Sequence, residues 1–188
     1  SHLVVLGASR YALELAQGYA RLGIDATIVS TGAPLAGEDP ELVAVVVDRL
    51  RAEGIGVRAN VAVHNIARRR NGVRILLSDP ADAEADGAEI AVDGSHLLVA
   101  SAGVAATAAL GLAAAEIAVD GSGIAVDGNL RTSNGRIYAI GDAVRGTRSV
   151  ARAELQARSV VRSILYRVPR KGDDWLAPRV AFTDPGFE

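Results

Sequence analysis

Three small residues, Gly7, Ser9 and Ala12, directly follow an apolar run at residues 3–6. A continuous apolar run is typical of a parallel strand that is buried on both faces. Glycine permits a tight turn after such a strand, and a small third residue lets the next helix pack closely. The amides and dipole at the helix N-terminus stabilise a phosphate group. The spacing therefore predicts a strand, a pyrophosphate-binding turn and a helix.

Ser9 stands where the Gly-x-Gly-x-x-Gly/Ala pattern has its second glycine. That glycine normally lets the backbone approach the phosphate closely. Two outcomes stay open, because the Ser9 hydroxyl either bonds a phosphate oxygen or obstructs one. We expect Arg10 and Tyr11 to line the same turn. The alternative for this fragment of a motif is an α/β turn that binds no ligand.

The predicted second strand, residues 25–29, ends at Ser30 and Thr31. An acidic residue at this point usually bonds the adenosine ribose of NAD, whereas an arginine accommodates the extra phosphate of NADP. We expect Ser30 or Thr31 to line the ribose. Because Ser30 and Thr31 are neither acidic nor arginine, the choice between NAD and NADP stays open.

Gly141 and Asp142 follow a predicted strand at residues 137–140. Ligands bind at the carboxyl ends of strands in open α/β sheets, so this pair is a second candidate binding site. We assign no catalytic residue and no metal site. The chain has no cysteine, and its three histidines, far apart in the sequence, indicate ordinary packing or surface positions.

The composition argues against some classes of partner. A net charge of −2 gives no broad electrostatic case for nucleic acid or membrane as a partner. Residues 68–70 are three consecutive arginines, which we interpret as a solvated hairpin end. No secretory signal opens the chain, so a cytoplasmic protein is the default expectation. The sequence has no methionine and ends within a continuing segment, so we expect an excerpt from a longer polypeptide.

The predicted elements alternate in a β-α-β-α-β order, continue as an antiparallel meander and return as one more parallel strand. The first helix, residues 10–21, carries Tyr11, Leu15, Tyr19 and Leu22 at helical spacing. Asp39 as N-cap and Pro40 as first helical residue predict the second helix, up to residue 52. Its expected inner face holds Leu42, Val45, Val46, Arg49 and Leu50. The remaining predicted strands are 55–57, 61–69, 72–78, 89–92 and 96–100, with Asn71-Gly72 as a hairpin turn.

The second half is predicted to be less regular. An Ala-rich stretch covers residues 101–115, and two short strands are expected near 117–119 and 123–126. A helix is predicted at about residues 148–167, with five arginines mostly outside, and a final strand at 179–183. Residues 79–87 are expected to form an acidic loop tip and residues 168–177 a polar linker.

Three stretches resemble one family closely: LVVLGASRYALELAQGYARLG, LRTSNGRIYAIGDA and PRVAFTDPGFE. GEDPEL and HLLVAS lie between them in the matching order. On these stretches the chain resembles the pyridine nucleotide–disulfide oxidoreductases. Within that family it is most similar to dihydrolipoamide dehydrogenases and mercuric-reductase-like enzymes. The resemblance covers nearly all 188 residues.

The resemblance implies an α/β fold class, with a Rossmann-like NAD(P)-binding domain and a partial FAD-domain segment. It places the NAD(P)-binding domain at residues 1–102, the second part of the FAD domain at 103–168, and a linker with the start of the dimerisation domain at 169–188. Glu14 matches a residue near the nicotinamide and flavin. Asp142, beside Gly141, matches one that bonds the ribityl chain of FAD. Ala102, at the domain boundary, is also taken as cofactor-binding.

Several departures shape the function hypotheses. Where the family usually has Ala-Thr-Gly-Arg-x-Pro-Asn, residues 100–106 read ASAGVAA, and the redox-active cysteine pair and the first FAD-binding motif are absent from the 188 residues. The leading hypothesis is a fragment of a FAD- and NAD(P)H-dependent disulfide oxidoreductase, inactive alone and homodimeric as the parent. The alternative is a non-catalytic homologue that acts as a nucleotide-binding or assembly module. A lone Rossmann-type oxidoreductase or transferase ranks last, because it leaves Asp142 and the ending unexplained.

Overall fold

The computed structural model describes residues 1–78, 89–101, 103–146, 148–167 and 180–186. The chain divides into two compact units, Ser1–Ala102 with Val180–Glu188, and Gly103–Arg179. Residues from Val180 onward thus group with the first unit. The sequence-based limits of the cofactor domains stay predictions. No helix among the described residues is long and apolar enough to cross a membrane.

A four-stranded parallel sheet forms the centre of the first unit. Its strands lie in the order β3-β2-β1-β7. Val4, Val5, Ile28 and Val29 are completely buried, as expected for strands covered on both faces. The α/β fold class is therefore confirmed. The strands are β1 (His2–Leu6), β2 (Asp25–Val29), β3 (Gly56–Arg58) and β7 (His96–Val99).

Two helices cover one face of this sheet. The first, α1, is Arg10–Arg21, and the second, α2, is Pro40–Ala52 with Asp39 as its N-cap, as predicted. Alternate residues of β1, Leu3 and Val5, belong to the core cluster that the helices share.

The buried residues of each helix only partly match the apolar spacing of the sequence, and Val46 and Leu50 of α2 are buried as expected. In α1 the buried residues are Ala12, Leu13, Ala16 and Gln17, whereas the Tyr11, Leu15, Tyr19 and Leu22 stripe is exposed. Small residues let the helix backbone approach the sheet, so the larger side chains turn outward. In α2 the buried residues are Val46, Val47 and Leu50, while Leu42, Val45 and Arg49 lie outside.

An antiparallel meander covers the other face of the sheet. Val4 and Val29 share a core cluster with Ile75 and Leu77 of this meander. Arg69 pairs with Gly72, so the hairpin loop is Arg70-Asn71, one residue earlier than predicted. The meander strands are β4 (Ala62–Arg69), β5 (Gly72–Ser78) and β6 (Ile90–Gly94), in the order β4-β5-β6. The predicted acidic loop at 79–87 lies outside the described residues.

The second unit contains little regular structure. Among the described residues, Tyr138 makes an isolated bridge to Arg131, and residues 137–140 do not form the predicted strand. The last helix starts two residues later than predicted, because Ser149 caps it. The elements are β8 (Val119–Asp120), β9 (Gly123–Ile124), a 3-10 helix (Gly141–Ala143) and α3 (Val150–Tyr166).

Two further predictions concern the end of the chain. The linker at 168–177 lies outside the described residues. Residues 180–183 contain a single bridge position rather than the predicted strand. Their backbone groups bond side chains of α1 instead of a sheet ladder.

Candidate functional site

The turn between β1 and α1 contacts the carboxyl ends of β2 and β7. Gly7 has φ +122°, and its amide donates to the Val29 carbonyl at 2.8 Å. A Cβ on Gly7 would lie 2.6 Å from the Ala100 oxygen, closer than any side chain can pack. Ala100 in turn donates its amide to the Leu6 carbonyl at 2.8 Å. Glycine is therefore required here by the approach of β7, in addition to any role in binding.

Ser9 is the N-cap of α1. Its Oγ accepts from the Ala12 amide at 3.3 Å and donates to the Ala100 carbonyl at 2.9 Å. A hydroxyl has one proton to donate. In this conformation that proton goes to Ala100, so Ser9 does not offer a donor to a phosphate oxygen.

The first turn of α1 keeps free donors. The Arg10 and Tyr11 amides have no hydrogen-bond partner among the described residues, as expected for the first positions of a helix. The helix dipole adds a partial positive charge at the same point. Ala12 is completely buried, which fits the close helix packing that the motif requires, while Tyr11 is exposed. This end of the helix can therefore hold an anion.

A cleft of about 630 Å³ opens at the carboxyl ends of β1 and β2. Leu35, only 4% exposed, fixes one wall because its amide donates to the Ala8 carbonyl at 3.0 Å. This bond anchors the loop after β2 against the β1–α1 turn. The residues that line the cleft are Leu6, Gly7, Ala8, Ser9, Arg10, Ser30, Thr31, Gly32, Ala33, Leu35, Ala36, Glu38, Val63 and Ser101.

Ser30 and Thr31 line this cleft at the end of β2. The Ser30 amide donates to the Arg58 carbonyl at 2.9 Å, and its Oγ accepts from the Gly32 amide at 3.2 Å. The Ser30 hydroxyl proton has no acceptor among the described residues, and Thr31 is exposed. Both side chains are therefore placed to bond a polar ligand.

The polar face of α1 holds residues 180–186 of the first unit. The half-buried Arg10 donates from Nη1 to the Val180 carbonyl at 3.2 Å. The Glu14 carboxylate accepts from the Phe182 amide at 2.9 Å. Two predicted site residues thus also anchor the C-terminal segment.

Gln17 extends the same contact by one helical turn. It is 4% exposed, accepts from the Asp184 amide at 2.8 Å and donates to the Asp184 carbonyl at 2.9 Å. Arg21 donates to the Asp184 carboxylate at 2.7 Å. The spacing of Arg10, Glu14, Gln17 and Arg21 places them on one helix face, a signal that sequence reasoning missed.

Glu53 completes this charged cluster from the end of α2. Arg21 and Arg49 both donate to its carboxylate, at 2.6 Å and 2.7 Å. The hydrogen bond from Arg21 is the largest effect, and together the bonds lower the pKa of Glu53 to about 2. The same bond raises the pKa of Arg21. Glu53 and Arg21 are therefore ionised at neutral pH, and Arg21 links the ends of both helices to Asp184.

Gly141 and Asp142 lie in the second unit, in the 3-10 helix. Gly141 is buried with φ +63°, and its amide donates at 2.7 Å to Oε1 of Gln156, which is completely buried. Asp142 is exposed. No described residue bonds its carboxylate. Ala102, the remaining predicted site residue, lies outside the described residues.

Arg148 hydrogen-bonds the loops around Gly141 and Asp142. Its guanidinium donates to the carbonyls of Gly103 at 2.6 Å, Ser122 at 3.2 Å and Asp142 at 3.4 Å. We expected α3 to begin at about this residue. Arg148 instead precedes the N-cap and links three segments of the second unit.

The histidines do not form a site. His2, His64 and His96 each bond a hydroxyl, of Thr27, Ser78 and Ser95, at 2.8 to 3.0 Å. Within the described ranges, no group of three or more His, Asp or Glu residues is placed to hold a metal ion.

Comparisons with known proteins identify relatives along the whole chain. The family model for pyridine nucleotide-disulphide oxidoreductases matches residues 1–157. Mercuric reductase of Streptomyces lividans is 33% identical over 186 residues, which cover 99% of this chain and 38% of that protein. Mercuric reductase of Shigella flexneri is 43% identical over 72 residues, which cover 38% of this chain and 13% of that protein.

Solved structures agree with this assignment. LpdA from Mycobacterium tuberculosis has a TM-score of 0.81 at 25% identity, over 98% of this chain and 39% of that one. The HOCl-induced flavoprotein disulfide reductase RclA from Escherichia coli, in its Cu(II) complex, has a TM-score of 0.82 at 26% identity, over 98% and 41%. The chain thus spans about two fifths of the length of the Streptomyces reductase, LpdA and RclA.

Proposed function

The chain belongs to the pyridine nucleotide-disulphide oxidoreductase family, and on that premise we propose that its first unit binds a nicotinamide dinucleotide for hydride exchange with a flavin. The observation that carries the proposal is the cleft at the carboxyl ends of β1 and β2, beside free helix amides. In this arrangement the Arg10 and Tyr11 amides hold the pyrophosphate. Ser30 and Thr31 then lie along the adenosine ribose.

In this proposal Gly7 and Ala12 shape the β1–α1 turn, and Ser9 caps α1. Arg10 adds a positive charge to the cleft, which attracts the pyrophosphate while one of its five donors bonds Val180. Glu14 would lie toward the nicotinamide in the parent protein, as the resemblance implies. Its bond to Phe182 holds the carboxylate in one orientation.

The second unit would contribute to FAD binding in the full-length parent. The exposed Asp142 carboxylate fits this role, because its oxygens are open to accept hydroxyl donors such as those of a ribityl chain. Gln156 and Arg148 fix the backbone on either side of it. Bound flavin supplies the redox chemistry, and the protein supplies binding and orientation.

We propose that these 188 residues alone do not reduce a disulfide, since they contain no cysteine. The second candidate function is a non-catalytic homologue that binds nucleotide or supports assembly. The bond from Ser9 to Ala100 favours it, because the hydroxyl that replaces the motif's glycine serves the fold.

Calorimetric titration of the chain with NADH and with NADPH tests the proposal. The matched variants are Arg10→Glu, inside the cleft, and Arg136→Glu, exposed in the second unit, which change the net charge equally. A carboxylate near the pyrophosphate costs about 1 kcal/mol or more, so Arg10→Glu should weaken binding at least about fivefold. Arg136→Glu should bind as the parent chain does.

Two results would count against the proposal. If neither NADH nor NADPH binds the unaltered chain, the nucleotide site is rejected. Equal weakening by both variants would mean that net charge, rather than the cleft, determines the affinity. A thermal melt of each variant shows whether it is folded at the temperature of the titration.

A further inference from the structure

The chain contains two asparagine–glycine pairs, Asn71-Gly72 and Asn134-Gly135. Asparagine is among the thermolabile residues. In such a pair the backbone nitrogen of the glycine can attack the side-chain carbonyl carbon of the asparagine. The attack needs an asparagine side chain that is free to rotate, and it is hindered least when the next residue has no Cβ. The two pairs are equivalent in sequence, so the fold decides how each one reacts.

Asn71 lies in the loop of the hairpin between β4 and β5. This loop consists of Arg70 and Asn71, because Arg69 pairs with Gly72. The Asn71 side chain is exposed and has no hydrogen-bond partner among the residues that the structure describes. Loop tips open more readily than the interior of a sheet. The carboxamide of Asn71 can therefore reach the Gly72 nitrogen whenever the last pair of the hairpin opens.

The glycine of this pair is required by the fold. Gly72 has φ +149°, and a Cβ at this position would overlap the carbonyl oxygen of Gly94 on β6. The same Cβ would lie 2.9 Å from the Cα of Ser95, closer than side chains pack. Only glycine therefore fits at the first position of β5. The residue that hinders the attack least is thus the one that the meander demands after Asn71.

The side chain of Asn134 is held at both of its polar atoms. Its Nδ2 donates to the Ala115 carbonyl at 3.0 Å, and its Oδ1 accepts from the Arg136 amide at 3.2 Å. Its backbone amide also donates to Thr132 Oγ1 at 3.2 Å. Rotation of the carboxamide toward Gly135 breaks both side-chain bonds. Loss of two neutral hydrogen bonds makes the reactive conformation about tenfold or more less populated.

We propose that Asn71 is a site of spontaneous deamidation and that the fold protects Asn134 from the same reaction. The Gly72 nitrogen loses its proton and bonds the side-chain carbonyl carbon of Asn71, and ammonia leaves. The product is a cyclic succinimide. Water then opens the ring at either carbonyl. Opening on the side-chain carbonyl gives aspartate, and opening on the backbone carbonyl gives isoaspartate, in which the main chain runs through the side-chain carbons.

Either product changes this end of the hairpin. Residues 68–70 are three exposed arginines, so the new carboxylate at position 71 appears directly after three positive charges. Isoaspartate also lengthens the main chain within a loop of two residues, which disturbs the adjoining pair of Arg69 with Gly72. Deamidation therefore makes the hairpin end less basic, and its isoaspartate form loosens the first pair of the meander.

The test measures conversion at both pairs while the intact chain is incubated at mildly alkaline pH. Digestion with pepsin at acidic pH stops the reaction, and mass spectrometry detects the mass gain of the peptide that holds each pair. Electron-based fragmentation separates aspartate from isoaspartate. We expect Asn71 to convert at least about tenfold faster than Asn134, with both products present at position 71.

Two controls separate the fold from the local sequence. In the chain unfolded by urea, both pairs lose their surroundings, so their rates should become similar. Asn71→Gln should abolish the fast conversion, because the longer side chain closes a ring far less readily. The same variant should leave the slow conversion at Asn134 unchanged.

Three results would overturn the proposal. The first is equal conversion of the two pairs in the folded chain, and the second is faster conversion at Asn134. The third is an Asn71 that stays intact in the folded chain over the time in which the unfolded chain converts. None of these results depends on nucleotide binding, so the proposed function is tested separately.

Discussion

Ser9 offers the sharpest test of how the β1–α1 turn is built. Its hydroxyl makes two bonds, to the Ala12 amide at 3.3 Å and to the Ala100 carbonyl at 2.9 Å. Replacing an N-cap serine with alanine costs about 0.5–2 kcal/mol. Loss of a neutral hydrogen bond costs about 0.5–1.5 kcal/mol. Together these give about 1–3.5 kcal/mol of lost stability for Ser9→Ala.

Ser9→Gly separates the two contributions. Glycine is nearly as good an N-cap as serine, with a loss of only a few tenths of a kcal/mol, so this variant should lose mainly the bond to Ala100, about 1 kcal/mol. Urea unfolding followed by circular dichroism measures the change in free energy. Amide hydrogen exchange of Ala12 reports the cap locally, and we expect it to be about tenfold faster in Ser9→Ala if about 1.4 kcal/mol of local stability is lost.

The same pair of variants addresses the ligand. Because the Ser9 proton is directed to Ala100, we expect Ser9→Gly to bind NADH as tightly as the parent chain, or more tightly. Binding weakened tenfold or more would mean that the hydroxyl contacts the phosphate. Unfolding and Ala12 exchange that are unchanged in Ser9→Ala would refute the capping argument.

Three further predictions concern stability. Gly7→Ala should lose about 1–3 kcal/mol or more through its φ of +122° and the clash with Ala100, seen as a lower urea midpoint; Gly18→Ala, whose Cβ meets nothing within 4 Å, should instead gain up to about 1 kcal/mol. Gln17→Leu should lose about 1–3 kcal/mol, because both backbone groups of Asp184 lose their partner, and exchange of the Asp184 amide should accelerate. The pKa of Glu53, lowered from 4.5 to about 2, means that the unfolded chain binds more protons between these values. Stability should therefore fall as pH drops from about 4.5 toward 2, and Glu53→Gln should flatten that part of the pH profile of unfolding.

Each of these has an outcome that contradicts it. A Gly7→Ala midpoint equal to that of Gly18→Ala would mean that the turn relaxes around the new Cβ. Unchanged Asp184 exchange in Gln17→Leu would show that other contacts hold residues 180–186. An acid profile for Glu53→Gln that parallels the unaltered chain would mean that Arg21 does not hold the carboxylate ionised.

Local patterns in the sequence predict most of the first unit. Continuous apolar runs identify β1 and β7, and Asp39-Pro40 marks the start of α2, because these signals depend on neighbouring residues. The confirmed parallel sheet follows from the same runs.

The helix faces were harder to predict. Tyr11 and Leu22 repeat at helical spacing, yet both are exposed, because Ala12 and Ala16 allow the closest approach to the sheet. Hydrophobic periodicity identifies the helix, whereas side-chain size decides which face the sheet accepts.

The site contacts that sequence reasoning missed join distant parts of the chain. Ser9 bonds a carbonyl 91 residues away, and Gln17 bonds a residue 167 positions away. Such partners are fixed by tertiary packing, so no local pattern could predict them. The sequence shows four polar residues at helical spacing, Arg10, Glu14, Gln17 and Arg21. This spacing does not indicate which segment of the chain they bind.

The central claim is that a nicotinamide dinucleotide occupies the cleft at the ends of β1 and β2. Amide chemical shifts of the ¹⁵N-labelled chain, recorded while NADH is added, test it most directly. We predict that the largest shifts occur at Arg10, Tyr11, Ser30 and Thr31. Shifts confined to residues outside the cleft lining, such as Tyr19 and His96, or no shifts at millimolar NADH, would contradict the account.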